Sequence, residues 1–138
     1  MDKALNYLAL ARKGGRAELG EEPVGAAARA LHAHLIIVAS DAGDHTWRRA
    51  KSYAAGTDQQ CVRLPYTKDE MGFAIGRTSL AIAAITDAQM ALAMVNALGQ
   101  PEKYKAVIEV LTAKAEKMKK RLAEAKAHQK NLRKGKKK

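Results

Sequence analysis

Apolar residues recur along this chain in two rhythms, and the rhythms alternate. Leu5, Leu8 and Ala11 fall three apart, the interval that lines up side chains on one side of a helix, and Gly14 predicts its end. Leu35-Ile-Ile-Val-Ala39 and Leu80 to Ile85 are instead unbroken apolar runs too short for a helix. They predict strands covered on both faces. Cys61 to Leu64 predicts a further short strand. Between these runs the helical interval returns. A helix capped by Asp44 carries Trp47, Arg48, Arg49 and Lys51 and ends at Gly56. Thr67 and Glu70 have capping-box spacing and open a brief helix that Gly76 closes. Thr86 and Gln89 offer a second box, before a helix whose inward side is Met90, Ala93, Met94 and Ala97 and which stops at Gly99-Gln100-Pro101. Helices alternating with strands predict a layered α/β/α domain.

The stretch from Lys13 to Leu31 organises the rest. Gly14 and Gly15 predict a turn, Arg16 to Leu19 a short extended piece, and Gly20 the opening of a helix with Pro23 in its first turn. On a 3.6-residue period, Val24, Ala28 and Leu31 share an apolar face that should be buried. Glu22, Ala26 and Arg29 share the opposite face. That face begins at a helix N-terminus, where backbone N–H groups and the helix dipole favour an anionic ligand such as phosphate.

Charge divides the chain in two. Residues 1–98 hold 11 Lys+Arg against 10 Asp+Glu, whereas residues 99–138 hold 14 against 4. The first part reads as an ordinary globular domain and the second as a basic extension, which points to a polyanion, nucleic acid before anionic membrane. From Glu102 to about His128 the extension lacks Gly and Pro and carries a narrow apolar stripe, Val107, Leu111, Met118, Leu122 and Ala125. It is a good helix former with too little apolar surface to fold alone, and the lysines around Gly135 should be disordered in isolation. No apolar run approaches the ~18–20 residues of a membrane span, and no cationic-then-apolar leader opens the sequence. A soluble, cytoplasmic protein is expected.

Candidate chemistry is sparse. His32, His34, His45 and His128 have no zinc-ligand spacing with one another or with Cys61, so no metal is expected. Cys61, the single cysteine, opens an apolar strand and reads as an inert buried thiol. Asp41, in the loop after the second predicted strand, reads as a loop-stabilising or ligand-positioning group before a catalytic base. Gly14, Gly15 and Gly20 make neither a G-x-G-x-x-G pattern nor a Walker motif, and no cofactor is expected. Trp47 beside Arg48 and Arg49 reads first as an anchor of its helix on the sheet and second as a base-stacking platform. No enzymatic activity is expected.

Four segments in register carry a resemblance. Ala11-Arg-Lys-Gly-Gly-Arg16, Leu19-Gly-Glu-Glu22, Leu35-Ile-Ile-Val-Ala-Ser-Asp-Ala42 and Met71-Gly-Phe-Ala-Ile-Gly-Arg77 resemble the ribosomal protein L-seven-Ae/L-thirty-e superfamily, most of all its small bacterial members. The similarity spans residues 3–97 and includes the pattern Leu-Gly-x-Ala-x-Gly-Arg, with Met71 in place of the leucine. It implies a three-layer α/β/α sandwich around a four-stranded mixed sheet, here with the basic helical extension added. It also implies binding of kink-turn RNA, an internal loop that bends the duplex sharply, in ribosomal RNA and within a ribonucleoprotein of the translation apparatus. Carried to this chain, the RNA-binding residues are Gly20, Glu21 and Glu22 at the second helix, Lys13, Gly15 and Arg16 in the glycine loop, and Gly76, Arg77 and Thr78 in the loop covering the extruded nucleotide. Asp41 and Ala42 lie in the adjacent loop. Family members usually have a lysine one turn into the second helix; the residue here is Ala26, with Arg29 a turn further along. The expected protein is thus a non-enzymatic binder of structured RNA, monomeric when free. Its rival is a protein-interaction module that pairs through the C-terminal stripe.

Overall fold

The computed structural model describes the backbone of residues 2–136 and the side chains of residues 2–130. Among the described residues the order is α1 (Lys3–Lys13), β1 (Ala17–Leu19), α2 (Glu21–Arg29), β2 (Leu35–Val38), α3 (Asp44–Ala54), β3 (Gln60–Arg63), α4 (Lys68–Ala74), β4 (Ile82–Ile85), α5 (Ala88–Ala97) and α6 (Lys105–Lys136). The strands form one mixed sheet in the order β1-β4-β2-β3. β4 is antiparallel to both β1 and β2, and β2 is parallel to β3. The two inner strands, Leu35–Val38 and Ile82–Ile85, are buried at every position, as unbroken apolar runs between helix layers should be. One layer is α2 packed on α3; the other is α1 packed on α4 and α5, with α5 against α6. The architecture is the expected three-layer α/β/α sandwich with a basic helical extension.

Several local expectations shift. Leu31 is not on the buried face of α2: the helix stops at Arg29, and Leu31 turns out to solvent with φ 60°. Asp44 is the first residue of α3, not its cap, which is Gly43 without a side-chain bond. The box at Thr86 and Gln89 does not form, because Asp87 caps α5 by accepting a hydrogen bond from the Met90 N–H. The buried set of α5 is Ala88, Ala91, Met94 and Val95, whereas Met90, Ala93 and Ala97 are half-buried, so the inward face is rotated from the expected one. The box at Thr67 and Glu70 forms as predicted, with both reciprocal bonds at 3.1 Å.

The change of charge near residue 98 does not coincide with a break in packing. Tyr104 and Leu111 belong to the same hydrophobic core as the sheet, and Ala115 is buried as well. From Lys119 to Lys130 every residue is exposed, Leu122 among them. α6 starts at Lys105, three residues later than expected, and continues past His128 to Lys136. Around Gly135, where disorder is expected, the backbone is helical through Lys136, while residues 137–138 lie outside the described residues.

Candidate nucleic-acid interface

Sheet register decides which candidate residues meet. The Gly20 N–H donates to the Ile82 carbonyl, Ile82 pairs with Val38, and Val38 with Arg63. Gly20, the Asp41–Ala42 loop and the carboxyl end of β3 therefore share one end of the sheet. Arg16 stands at the other end of β1, its carbonyl accepting from the Thr86 N–H.

At the shared end, Gly20 turns the chain from β1 into α2 with φ 95° and ψ 164°, a conformation closed to residues with a side chain. No side chain caps α2, and Pro23, within the first turn, has no N–H. The first turn thus presents the N–H groups of Glu21 and Glu22 at the positive end of the helix dipole. Glu21 is occupied: Oε2 pairs with Arg49 Nη1 at 3.1 Å, and Oε1 accepts from Thr46 Oγ1 at 3.4 Å. Glu22 is exposed, and among the described residues no ion pair or side-chain hydrogen bond engages it. The carboxylate left without a partner among the described residues is therefore Glu22.

Further along α2, Gly25 lies under Tyr53 of α3. A Cβ on Gly25 would stand 2.9 Å from the Tyr53 hydroxyl and 3.3 Å from Arg29 Nη1. The glycine lets the two helices close, and the Arg29 guanidinium leans back to its level, as helical side chains do. Arg29 thereby brings a cation back to the level of Gly25. Ala26 itself lines a cleft of about 580 Å³ with Glu18, Pro23, Ala27, Ala30, His32 and Thr86.

The loop after α4 gathers a second group. Arg12 Nη1 donates to the Ile75 carbonyl at 2.9 Å, and Lys13 lines a cleft of about 520 Å³ with Ile75 and Gly76. Gly76 is in the left-handed region, φ 72°, and Arg77 and Thr78 are exposed. Gly15, also left-handed with φ 71°, is exposed in the turn after α1. Asp41 and Ala42 are committed to the fold: Asp41 Oδ1 accepts from the Lys68 N–H at 2.8 Å, and the Ala42 side chain is buried. Arg49, Thr46 and Lys68, the partners that fix Glu21 and Asp41, lie 25 to 28 residues away in sequence, and nothing in local spacing marks them.

Among the titratable side chains outside this surface, His34 and Cys61 shift with cause. Burial, and then the charge of Lys114, hold the His34 imidazole below its ordinary value, while Asp58 and Asp87 pull the other way. Burial pushes the Cys61 thiol up to about 11 despite Lys51 and Arg63 nearby, so it is a poor nucleophile. Among the described residues no helix is long and apolar enough to cross a membrane.

No protein-family model and no curated protein matches the sequence. Solved structures do match. A Bacillus halodurans protein of unknown function superposes with a TM-score of 0.66 at 24% identity, over 72% of this chain and 99% of that one. The 15.5kD RNA binding protein of Giardia lamblia superposes with a TM-score of 0.59 at 17% identity, over 75% of this chain and 85% of that one. The fold is shared with an RNA-binding protein. At these identities the likeness establishes architecture, and the chemistry has to come from the residues described above.

Proposed function

We propose that this chain is a non-enzymatic RNA-binding protein that recognises bent, kink-turn-like structured RNA, ribosomal RNA in the first place. The observation that carries the reading is the uncapped start of α2. Two backbone N–H groups, an engaged Glu21 and an unengaged Glu22 stand together there, behind a glycine turn that lets RNA approach the backbone. Glu22 accepts hydrogen bonds from the N1 and N2 groups of a guanine, and the helix N-terminus favours an adjacent phosphate. Arg29, Arg77 and Lys13 offset the repulsion between that carboxylate and the phosphates. The exposed half of α6 adds charge that grips the backbone without choosing a sequence. The fold shared with the Giardia RNA-binding protein supports the reading.

Glu22→Ala is expected to weaken binding to a kink-turn RNA at least tenfold more than binding to a plain duplex of equal length. Equal losses on the two RNAs overturn the assignment. Pairing through the α6 stripe has less in its favour, because Leu111 is spent on the core and Val107 is half-buried. The free protein is accordingly proposed to be a monomer in the cytoplasm, which sedimentation of the purified chain tests.

A further inference from the structure

Arg63, the last residue of β3, lies in the same row of the sheet as Gly20 but at the opposite edge. Three strand spacings separate the two residues, about 14 Å. The Arg63 guanidinium rests on the indole of Trp47, with Cζ 4.9 Å from the ring centroid. Nε and Nη2 are shut off from solvent, and neither has a hydrogen-bond partner among the described residues. A buried charged donor without an acceptor is among the costlier arrangements in a fold. The aromatic stack offsets part of that cost but gives the N–H groups no lone pair.

A cleft of about 460 Å³ opens at this place, between α3 and the start of α6. Trp47, Arg63, Pro65, Lys103 and Tyr104 line it, and no carboxylate does. Lys51 Nζ is 5.5 Å from the Trp47 ring centroid, and Lys103 Nζ is 5.5 Å from that of Tyr104. Two cations, Arg63 and Lys103, two aromatic rings and an adjacent pair of orphaned guanidinium donors complement an oxyanion. Nε and Nη2 form one edge of the arginine fork, the geometry that takes two oxygens of a phosphate side by side.

We propose that this cleft binds a backbone phosphate of the RNA held at α2, through Nε and Nη2 of Arg63 with Lys103 beside them. The proposal rests on the RNA-binding reading and extends its footprint across the end of the sheet to the far side of α3. The two nitrogens are covered in the free protein, so the phosphate reaches them as a covering side chain swings aside.

The full chain and its Arg63→Gln, Arg63→Lys and Lys103→Gln variants are titrated with a kink-turn RNA between about 50 and 200 mM salt. Each lost phosphate contact flattens the log affinity against log salt slope by ~0.9. Arg63→Gln is expected to flatten it by about that much and to lower affinity about tenfold at the low-salt end, with the preference for kink-turn over plain duplex unchanged. Arg63→Lys, which keeps a charge without the paired donors, should fall between. Lys103→Gln, an exposed substitution that leaves folding alone, should flatten the slope by less. Trp47 is the sole tryptophan, so its emission reports on the cleft directly. It should shift on addition of RNA in the unmodified chain and less in Arg63→Gln.

Unchanged slopes in Arg63→Gln and Lys103→Gln, while the unmodified chain binds the kink-turn RNA, overturn this proposal alone. Failure of the unmodified chain to bind that RNA overturns the RNA-binding reading itself. A Trp47 response to inorganic phosphate with unchanged RNA slopes would make the cleft a site for a small free phosphate, and the RNA source would be withdrawn. A lower melting temperature in Arg63→Gln with RNA affinity unaltered would make the guanidinium structural and would also overturn it.

Discussion

The backbone nitrogen of Ser79 lies 2.6 Å from the point at which a Cβ on Gly72 would stand, and the Ser79 Cα lies 2.7 Å from it. The loop of residues 76–79 is therefore laid directly on α4, against backbone that cannot yield as a side-chain tip would. Gly72→Ala is expected to cost ~1–3 kcal/mol, the usual range for overpacking, and to push residues 76–79 away from α4. Thermal unfolding measures the first effect. Loss of kink-turn preference without loss of duplex affinity would report the second.

α6 should divide functionally where its burial ends. Leu111 is fully buried, so Leu111→Ala should destabilise the protein by ~2–5 kcal/mol. Removing residues 119–138 takes away ten Lys+Arg and one Glu but no buried side chain among the described residues. That truncation should leave the melting temperature nearly unchanged while flattening the salt dependence of binding to kink-turn and duplex RNA alike. Calorimetry with and without the segment, followed by salt titrations, checks both halves of the statement.

His34 couples the same helix to pH. Its Nδ1 lies 3.3 Å from Lys114 Nζ, and Lys114 pairs with Asp58 at 3.1 Å. Because the folded state holds His34 below the ordinary 6.5, the unfolded chain binds more protons there in the acid range. The contribution to stability is complete above pH 6.5 and is lost as pH falls through the lowered value. Denaturant midpoints at about pH 8 and about pH 5 should differ more in the native sequence than in His34→Asn. Equal differences would separate His34 from the docking of α6.

Cys61 should resist alkylation. With its thiol near 11, iodoacetamide at about pH 8 meets little thiolate, and modification should run far slower than for free cysteine. Labelling followed by mass spectrometry reads this out, and unfolding with denaturant should restore the ordinary rate.

The elements set by local periodicity were open to reading, and those set by distant partners were not. β2 and β4 announce themselves because a strand covered on both faces needs apolar side chains at consecutive positions. The turn at Gly20 is equally visible, since few residues besides glycine enter a helix from that conformation. At α5, Thr86 and Asp87 are both able to cap, and the choice falls to the one whose carboxylate faces the Met90 N–H. At the candidate site, the exposed Glu22 was legible from helix phase. The engagement of Glu21 by Arg49 was not, because it depends on how α3 lies on α2. Within Cys61-Val-Arg-Leu64, Arg63 is a lone cation in a strand otherwise apolar but for its first residue, the kind of departure that marks a demand from elsewhere in the fold.

The single helix that runs from the core out into solvent has a consequence for how the lysines are presented. Starting a helix in water is unfavourable, with a nucleation constant of ~10⁻³, whereas lengthening one that already exists is nearly free for alanine-, lysine- and glutamate-rich sequence. Leu111 and Ala115 are buried where α6 packs on α5, so the residues beyond Met118 grow from a seed that folding has already set. From Lys119 to Lys136 this makes a rod ~27 Å long that meets a polyanion with much of its ordering entropy already surrendered.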